Sequence, residues 1–143
     1  MRKFREAGII LGLFCFVCVL ANADAEAQTL SFPTYNVALK SGESAELGDV
    51  YQISADCKSL LKATPEVEIL DGPAGVTAAI KEAMIVPRYY GCTKPIPGGK
   101  LIVTANEVAE YGRARMVLRL KMKTSQGDRQ PSVDVNISLL PKE

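Results

Sequence analysis

The chain has 143 residues, with 17 Lys and Arg, 16 Asp and Glu, 4 Cys, and neither His nor Trp. This length accommodates one domain of ordinary size. A net charge of +1 provides no overall field for nucleic acid or an anionic membrane, so we expect no nucleic-acid partner. Without histidine the chain lacks the commonest general base and metal ligand and every Ser-His or Cys-His pair. We therefore expect no enzymatic activity, no metal and no cofactor.

The N-terminus has the pattern of a secretory signal peptide. Residues 1–5 carry three basic side chains, residues 7–20 are uncharged and apolar, and Ala-x-Ala cleavage sites end at Ala23, Ala25 and Ala27. A retained membrane anchor is the alternative, but this stretch of 14 residues is shorter than the roughly 20 that a spanning helix needs. We predict a signal peptide over 1–27 and a periplasmic or secreted domain over 28–143, which meets a membrane only in transit through the signal peptide.

The four cysteines fall into two pairs. Cys15 and Cys18 have the C-x-x-C spacing of redox and zinc sites, but they lie in the apolar core of the predicted signal peptide. Cys57 and Cys92 remain, and an even count in an exported chain predicts one disulfide. Such a bridge stabilises the domain by on the order of 3–4 kcal/mol. Two free thiols or a two-cysteine metal site are the alternatives, both disfavoured by the missing histidine ligands and bases.

Two alternating stretches near the C-terminus predict a β-hairpin. Over 113–123 and 132–140 apolar and polar residues alternate, interrupted only by Val117, which is typical of strands with one buried face. Gly127 and Asp128 suit the centre of a type II′ turn. That turn predicts a register in which apolar residues face apolar ones and Lys121 faces Asp134. The remaining predicted pairs are Met122 with Val133, Leu120 with Val135, Leu118 with Ile137, Met116 with Leu139, and Arg119 with Asn136.

Shorter strands are predicted upstream, over 32–39, 44–53, 66–70, 75–80 and 100–105. The last of these is entered from a turn over 95–99, and a short helical turn is predicted over 59–63. Several short strands punctuated by Gly and Pro indicate an antiparallel β-sandwich.

The spacing of Cys, Gly and Pro resembles a known group. The residues that carry it are Cys57, 65–69, 72–77, Gly91-Cys92, Gly98-Gly99 and the C-terminal hairpin. Together they resemble small exported bacterial proteins that are single immunoglobulin-like, cadherin-like domains with one disulfide, over about residues 42–140. The resemblance implies an all-β, antiparallel immunoglobulin-like β-sandwich, a disulfide and an exported address, and it implies no activity. The group usually has Gly-x-Asp before the penultimate strand. Here Gly112-Arg113-Ala114 lacks the acid, so no site built on it is carried over.

Two surface features are candidate binding sites. The first is a basic strand whose outer face could dock a polyanion or could simply be solvated; it comprises Arg113, Arg115, Arg119, Lys121 and Lys123. The second is the loop 87–97, which places Arg88, Tyr89, Tyr90 and Lys94 beside Cys92 and between prolines. Tyr and Arg often anchor interfaces, although either tyrosine could instead pack in the core.

These features favour an exported, non-catalytic binding or structural module of the cell envelope, whose partner is an unknown protein or envelope polymer. The alternatives are a secreted inhibitor that uses the loop 87–97 and a polyanion-binding protein that uses the strand 113–123.

Overall fold

The computed structural model describes residues 33–143, which form seven β-strands and no helix. The predicted signal peptide, with Cys15 and Cys18, lies outside these residues. The strands are β1 (Thr34–Lys40), β2 (Ser44–Val50), β3 (Glu66–Asp71), β4 (Val76–Ile85), β5 (Ile96–Ala105), β6 (Gly112–Lys121) and β7 (Ser132–Leu140).

The strands form two sheets, one of four strands in the order β1-β7-β6-β3 and one of three in the order β2-β5-β4. All pairs are antiparallel except β1 and β7, which are parallel. The prediction of a wholly antiparallel structure is therefore wrong at this pair. The amide of Glu43 donates to the carbonyl of Lys40 at 2.9 Å and closes a turn between β1 and β2. Only its second central residue, Gly42, has a positive φ, of 82°, which is type II geometry and splays the flanking strands instead of pairing them. Because β1 and β2 do not form a hairpin, β1 pairs with a strand that is distant in sequence.

The C-terminal hairpin has the predicted buried faces, but β6 ends at Lys121, so the predicted strand residue Lys123 lies outside it. The register also differs from the predicted one. Met116 faces Val135 and Leu118 faces Val133, so each residue pairs four positions away from its predicted partner. The turn is centred on Ser125 and Gln126, because the amide of Gly127 donates to the carbonyl of Thr124 at 3.2 Å. Gly127 supplies a positive φ of 104° after the turn's centre rather than within it. A shift by an even number of residues keeps every side chain on its face.

The upstream strands match their predicted positions with three differences. β4 continues to Ile85 and β5 begins at Ile96, so the predicted turn over 95–99 is mostly strand. The predicted helical turn over 59–63 is wrong: Ser59 and Leu61 form isolated bridges with Ile53 and Thr124. β2 ends at Val50 and has a bulge between Glu46 and Gly48, and the hydroxyl of Tyr35 lies 3.0 Å from the place that a Cβ on Gly48 would take.

The inward faces of both sheets contribute to one hydrophobic core. The fully buried members with the largest side chains are Leu39, Leu101, Met116, Leu118 and Ile137. Four of these residues belong to the larger sheet and Leu101 belongs to the smaller. Each lies on the buried side of a strand whose residues are alternately buried and more exposed, as in strands with one buried face. Ile85, Cys92 and Ile96 are also buried but lie outside this cluster. Ile85 ends β4, Ile96 begins β5, and Cys92 lies in the loop that joins these strands.

Candidate functional site

The β2–β3 and β4–β5 loops meet at one end of the two sheets. A disulfide between Cys57 and Cys92 joins them, with a Cα–Cα distance of 5.6 Å, as predicted. The β2–β3 loop also hydrogen bonds to the end of β6 and the following turn: Lys62 donates to the carbonyl of Lys123, and Ser125 to that of Leu60, both at 2.9 Å. Three connections are thus tied together at this end, which restrains the side chains they carry.

The β4–β5 loop contains a tight turn over residues 89–92. The amide of Cys92 donates to the carbonyl of Tyr89 at 3.2 Å, and Tyr90 and Gly91 have φ values of 58° and 65°. Positive φ at both central residues is the mark of a type I′ turn, which strongly favours Asn or Gly there. Tyr90 is therefore held in a conformation that its side chain disfavours.

Tyr89 and Tyr90 project from this turn and are 67% and 69% exposed. The alternative that one of them packs in the core is wrong. They form one wall of a groove of about 590 Å³ at this end of the sheets, within the range of roughly 300–1,000 Å³ that is usual for ligand sites. Tyr35 and Tyr51 also line it, so four of the chain's five tyrosines lie around one groove. Its remaining lining residues are Pro33, Asp49, Val50, Gln52, Ile53, Leu101, Leu120, Met122, Pro131 and Val133.

The loop around the groove is held by few but specific contacts. The amide of Arg88 donates to the hydroxyl of Tyr51 at 3.3 Å, Pro87 is buried, and the disulfide holds the far side. The side chains of Arg88 and Lys94 are exposed and do not line the groove. Ile96 and Pro97, assigned to the loop from sequence, belong to β5. Tyr35 and Tyr51 were missed from sequence, because no local pattern indicates that the start of β1 and the end of β2 approach residue 89.

The basic strand is an ion-pair surface rather than a row of unpaired cations. Nη2 of Arg115 contacts the carboxylate of Asp134 at 2.8 Å. Glu68, on β3, lies 2.9 Å from Lys121 and 3.7 Å from Arg119. Asp134 therefore pairs with Arg115 and not with Lys121, which corrects the contact predicted from the shifted register. Three of the five predicted cations are compensated, which weakens the field that a polyanion would meet.

Ion pairs on the outer faces of both sheets shift the pKa of one partner. A hydrogen bond from Lys121, together with its charge and that of Arg119, lowers the pKa of Glu68. On the outer face of the smaller sheet, Glu46 raises the pKa of Lys100 through a hydrogen bond, with Asp49 contributing. Both groups are at the surface, so each pair contributes little to the free energy of unfolding.

Within residues 33–143, no cluster of three or more His, Cys, Asp or Glu side chains is placed to hold a metal ion. The same part of the chain contains no helix that is long and apolar enough to cross a membrane.

No family model matches the chain, and no curated protein matches it. A solved structure described as the solution structure of Amebosin is similar over 71% of this chain and 87% of its own, with 13% sequence identity and a TM-score of 0.35. A likeness of this size carries no argument about fold or function. The proposals below are therefore argued from the geometry of this chain alone.

Proposed function

We propose that this protein is an exported, non-catalytic binding module of the cell envelope that holds its partner, a protein or an envelope polymer, in the tyrosine-lined groove. The observation that carries the proposal is the convergence of four tyrosines on one groove, two of them more than two-thirds exposed. Tyrosine offers a large, rigid and amphipathic contact surface at low conformational cost, and it is enriched at the centres of interfaces.

The surroundings of the groove favour binding without rearrangement. A disulfide, a buried proline and a tight turn hold Tyr89 and Tyr90 in place before any partner arrives. Pre-organisation of this kind strengthens binding, because less freedom is lost in the complex. The tight turn also favours a groove wall over an inhibitor loop, since a segment that lies along a protease cleft has to be extended.

The domain type is part of the proposal. We infer an immunoglobulin-like sandwich, because β3-β6-β7 and β2-β5-β4 follow the order of the two sheets of that fold. β1 lies on the sheet of β6 and β7 and is parallel to β7. A disulfide persists in oxidising compartments, which supports a periplasmic or secreted location, reached through the signal peptide that residues 1–27 predict.

The test is retention of envelope material on the immobilised domain. A Tyr89→Ala/Tyr90→Ala double variant is expected to lose most of the retained protein or polymer. The matched control is Leu70→Ala, since Leu70 is also apolar and exposed, at 41%, but lies near the end of β3 and does not line the groove.

Equal retention by both variants would contradict the groove as the binding site. Material that a reduced sample retains as well as the oxidised protein would contradict the role of the disulfide in pre-organisation. Circular dichroism of each variant checks that the fold is intact.

A further inference from the structure

A second concave surface lies on the outer face of the four-stranded sheet and shares no lining residue with the tyrosine-lined groove. It is a depression of about 640 Å³ formed across β1, β7 and β6. Ala38 and Ser138 form its floor. They are cross-strand neighbours and have short side chains. Longer side chains surround it, with Arg113 and Arg115 on one flank and Asn36 and Asn136 between the strands. The alternation of short and long side chains makes the depression.

Its charge is concentrated at one residue. Arg115 is compensated by Asp134, which accepts two hydrogen bonds from its Nη2, at 2.8 and 3.0 Å. Arg113, the next outward residue on β6, forms no ion pair within residues 33–143. Its Nε donates to the hydroxyl of Tyr111 at 3.0 Å, which orients the guanidinium and leaves both terminal nitrogens for a ligand. A planar guanidinium held in this way suits a carboxylate, which it can bind through two parallel hydrogen bonds.

Neutral polar groups lie beside this guanidinium. Nδ2 of Asn136 donates to Oδ1 of Asn36 at 3.0 Å, so the two amides hold each other in place across β7 and β1. That bond leaves the amide group of Asn36, Oδ1 of Asn136 and the hydroxyl of Ser138 with hydrogen-bonding capacity toward the depression. Donors and acceptors in a shallow cleft fit a ligand rich in hydroxyl groups.

We propose that this depression binds a sugar acid, with the carboxylate on Arg113 and the hydroxyls on Asn36, Asn136 and Ser138. One uncompensated cation fits one carboxylate, whereas a polyanion needs several. The site is separate from the tyrosine-lined groove, so either one functions without the other.

The test is a titration of the isotope-labelled domain with glucuronic acid, followed by the chemical shifts of its backbone amides. We expect saturable shifts centred on Asn36, Arg113, Asn136 and Ser138. Glucose and acetate serve as the two half-ligands and are each expected to bind more weakly. A short uronate oligosaccharide distinguishes the sources: tighter binding than the monosaccharide identifies a polymer unit, and equal binding identifies the free sugar.

Arg113→Gln is expected to weaken glucuronate binding by about tenfold or more, the usual loss for charge-assisted hydrogen bonds. Arg113→Lys retains the charge but lacks the planar guanidinium. Its affinity for glucuronate is expected to lie between those of the wild type and Arg113→Gln. The matched control is Arg119→Gln, on the same strand and face but paired with Glu68, which retains binding. The Tyr89→Ala/Tyr90→Ala variant also retains it, which separates this proposal from the one above.

The proposal is overturned by any of three results. The first is that glucuronate causes no saturable shift, and the second is that acetate or glucose binds as tightly as glucuronate. The third is that Arg113→Gln and Arg119→Gln lose binding equally, as a diffuse cationic face would.

Discussion

The left-handed conformation of Tyr90 should lower the stability of the domain. This cost can be measured separately from the loss of the aromatic ring. At a φ of 58° a side chain with a Cβ costs about 1–2 kcal/mol more than in ordinary conformations, whereas glycine has no such cost. Glycine in turn loses more freedom than alanine on folding, by about 0.5–1 kcal/mol. The Tyr90→Gly variant should therefore be more stable than Tyr90→Ala by roughly 0.5–1 kcal/mol.

The control is the same pair of substitutions one residue earlier. Tyr89 is as exposed as Tyr90 but has no positive φ, so only the freedom of the unfolded chain distinguishes its two variants. Tyr89→Gly should be less stable than Tyr89→Ala by about 0.5–1 kcal/mol. Since all four variants lack the aromatic ring, lost burial cancels within each pair. The difference between the two comparisons should equal the left-handed cost, about 1–2 kcal/mol.

Urea unfolding with a common m-value measures each stability. A domain of this size shows about 4 °C of change in Tm for each kcal/mol, so thermal melts provide a second measure. If Gly is less stable than Ala at residue 90 by as much as at residue 89, the turn carries no strain and the reasoning fails. If the order reverses as expected and Tyr90→Gly also loses the retained partner, the strained residue is kept for binding at the cost of stability.

Three further predictions concern stability. Replacing both Cys57 and Cys92 with Ser should lower the free energy of unfolding by about 4 kcal/mol, since the separation of 35 residues closes a long loop in the unfolded chain; a loss within the error of urea unfolding would contradict this. Gly98→Ala should destabilise by about 1–3 kcal/mol, because its Cβ would lie 2.8 Å from the carbonyl oxygen of Val50. Gly112→Ala, with no atom within 4 Å of its Cβ, is the control, and equal effects would argue against the clash. The lowered pKa of Glu68 means that the folded protein binds fewer protons there than the unfolded chain, so its stabilising effect is present at neutral pH and is lost as pH falls through the folded pKa. Glu68→Gln should therefore show a shallower loss of urea midpoint on acidification than Glu66→Gln, and equal slopes would contradict the pairing with Lys121.

The C-terminal hairpin shows which structural features an alternating sequence pattern predicts and which it leaves open. Alternation over β6 and β7 predicted both strands and every buried position, because successive side chains of a strand point to opposite faces. The register was wrong by four residues, because an even shift leaves each residue on its own face and the hydrophobic pattern unchanged. What selects the register is the turn, where Thr124 and Gly127 hydrogen bond around Ser125 and Gln126. The ion pairs changed with it, from Lys121 with Asp134 to Arg115 with Asp134.

In the tyrosine-lined groove too, some residues were identified from the sequence and others only from the structure. Tyr89 and Tyr90 were predicted because they stand beside a cysteine and between prolines, which are local features. Tyr35 and Tyr51 were not, since their places in the groove depend on how β1 and β2 pack against the β4–β5 loop.

The sequence by itself determined where most strands lie, which faces of β6 and β7 are buried, and the cysteine pair. The strands and their faces follow from backbone geometry within about ten residues, and the cysteine pair follows from the even number of cysteines outside the predicted signal peptide. Only the tertiary structure decided that β1 is parallel to β7, which register β6 and β7 adopt, and which carboxylates compensate the basic strand. These depend on contacts between residues far apart in the chain, and several arrangements satisfy the same alternating pattern equally well. The charges show the consequence: a chain with a net charge of +1 has four cations on β6, and packing leaves Arg113 in the depression without an acidic partner among residues 33–143.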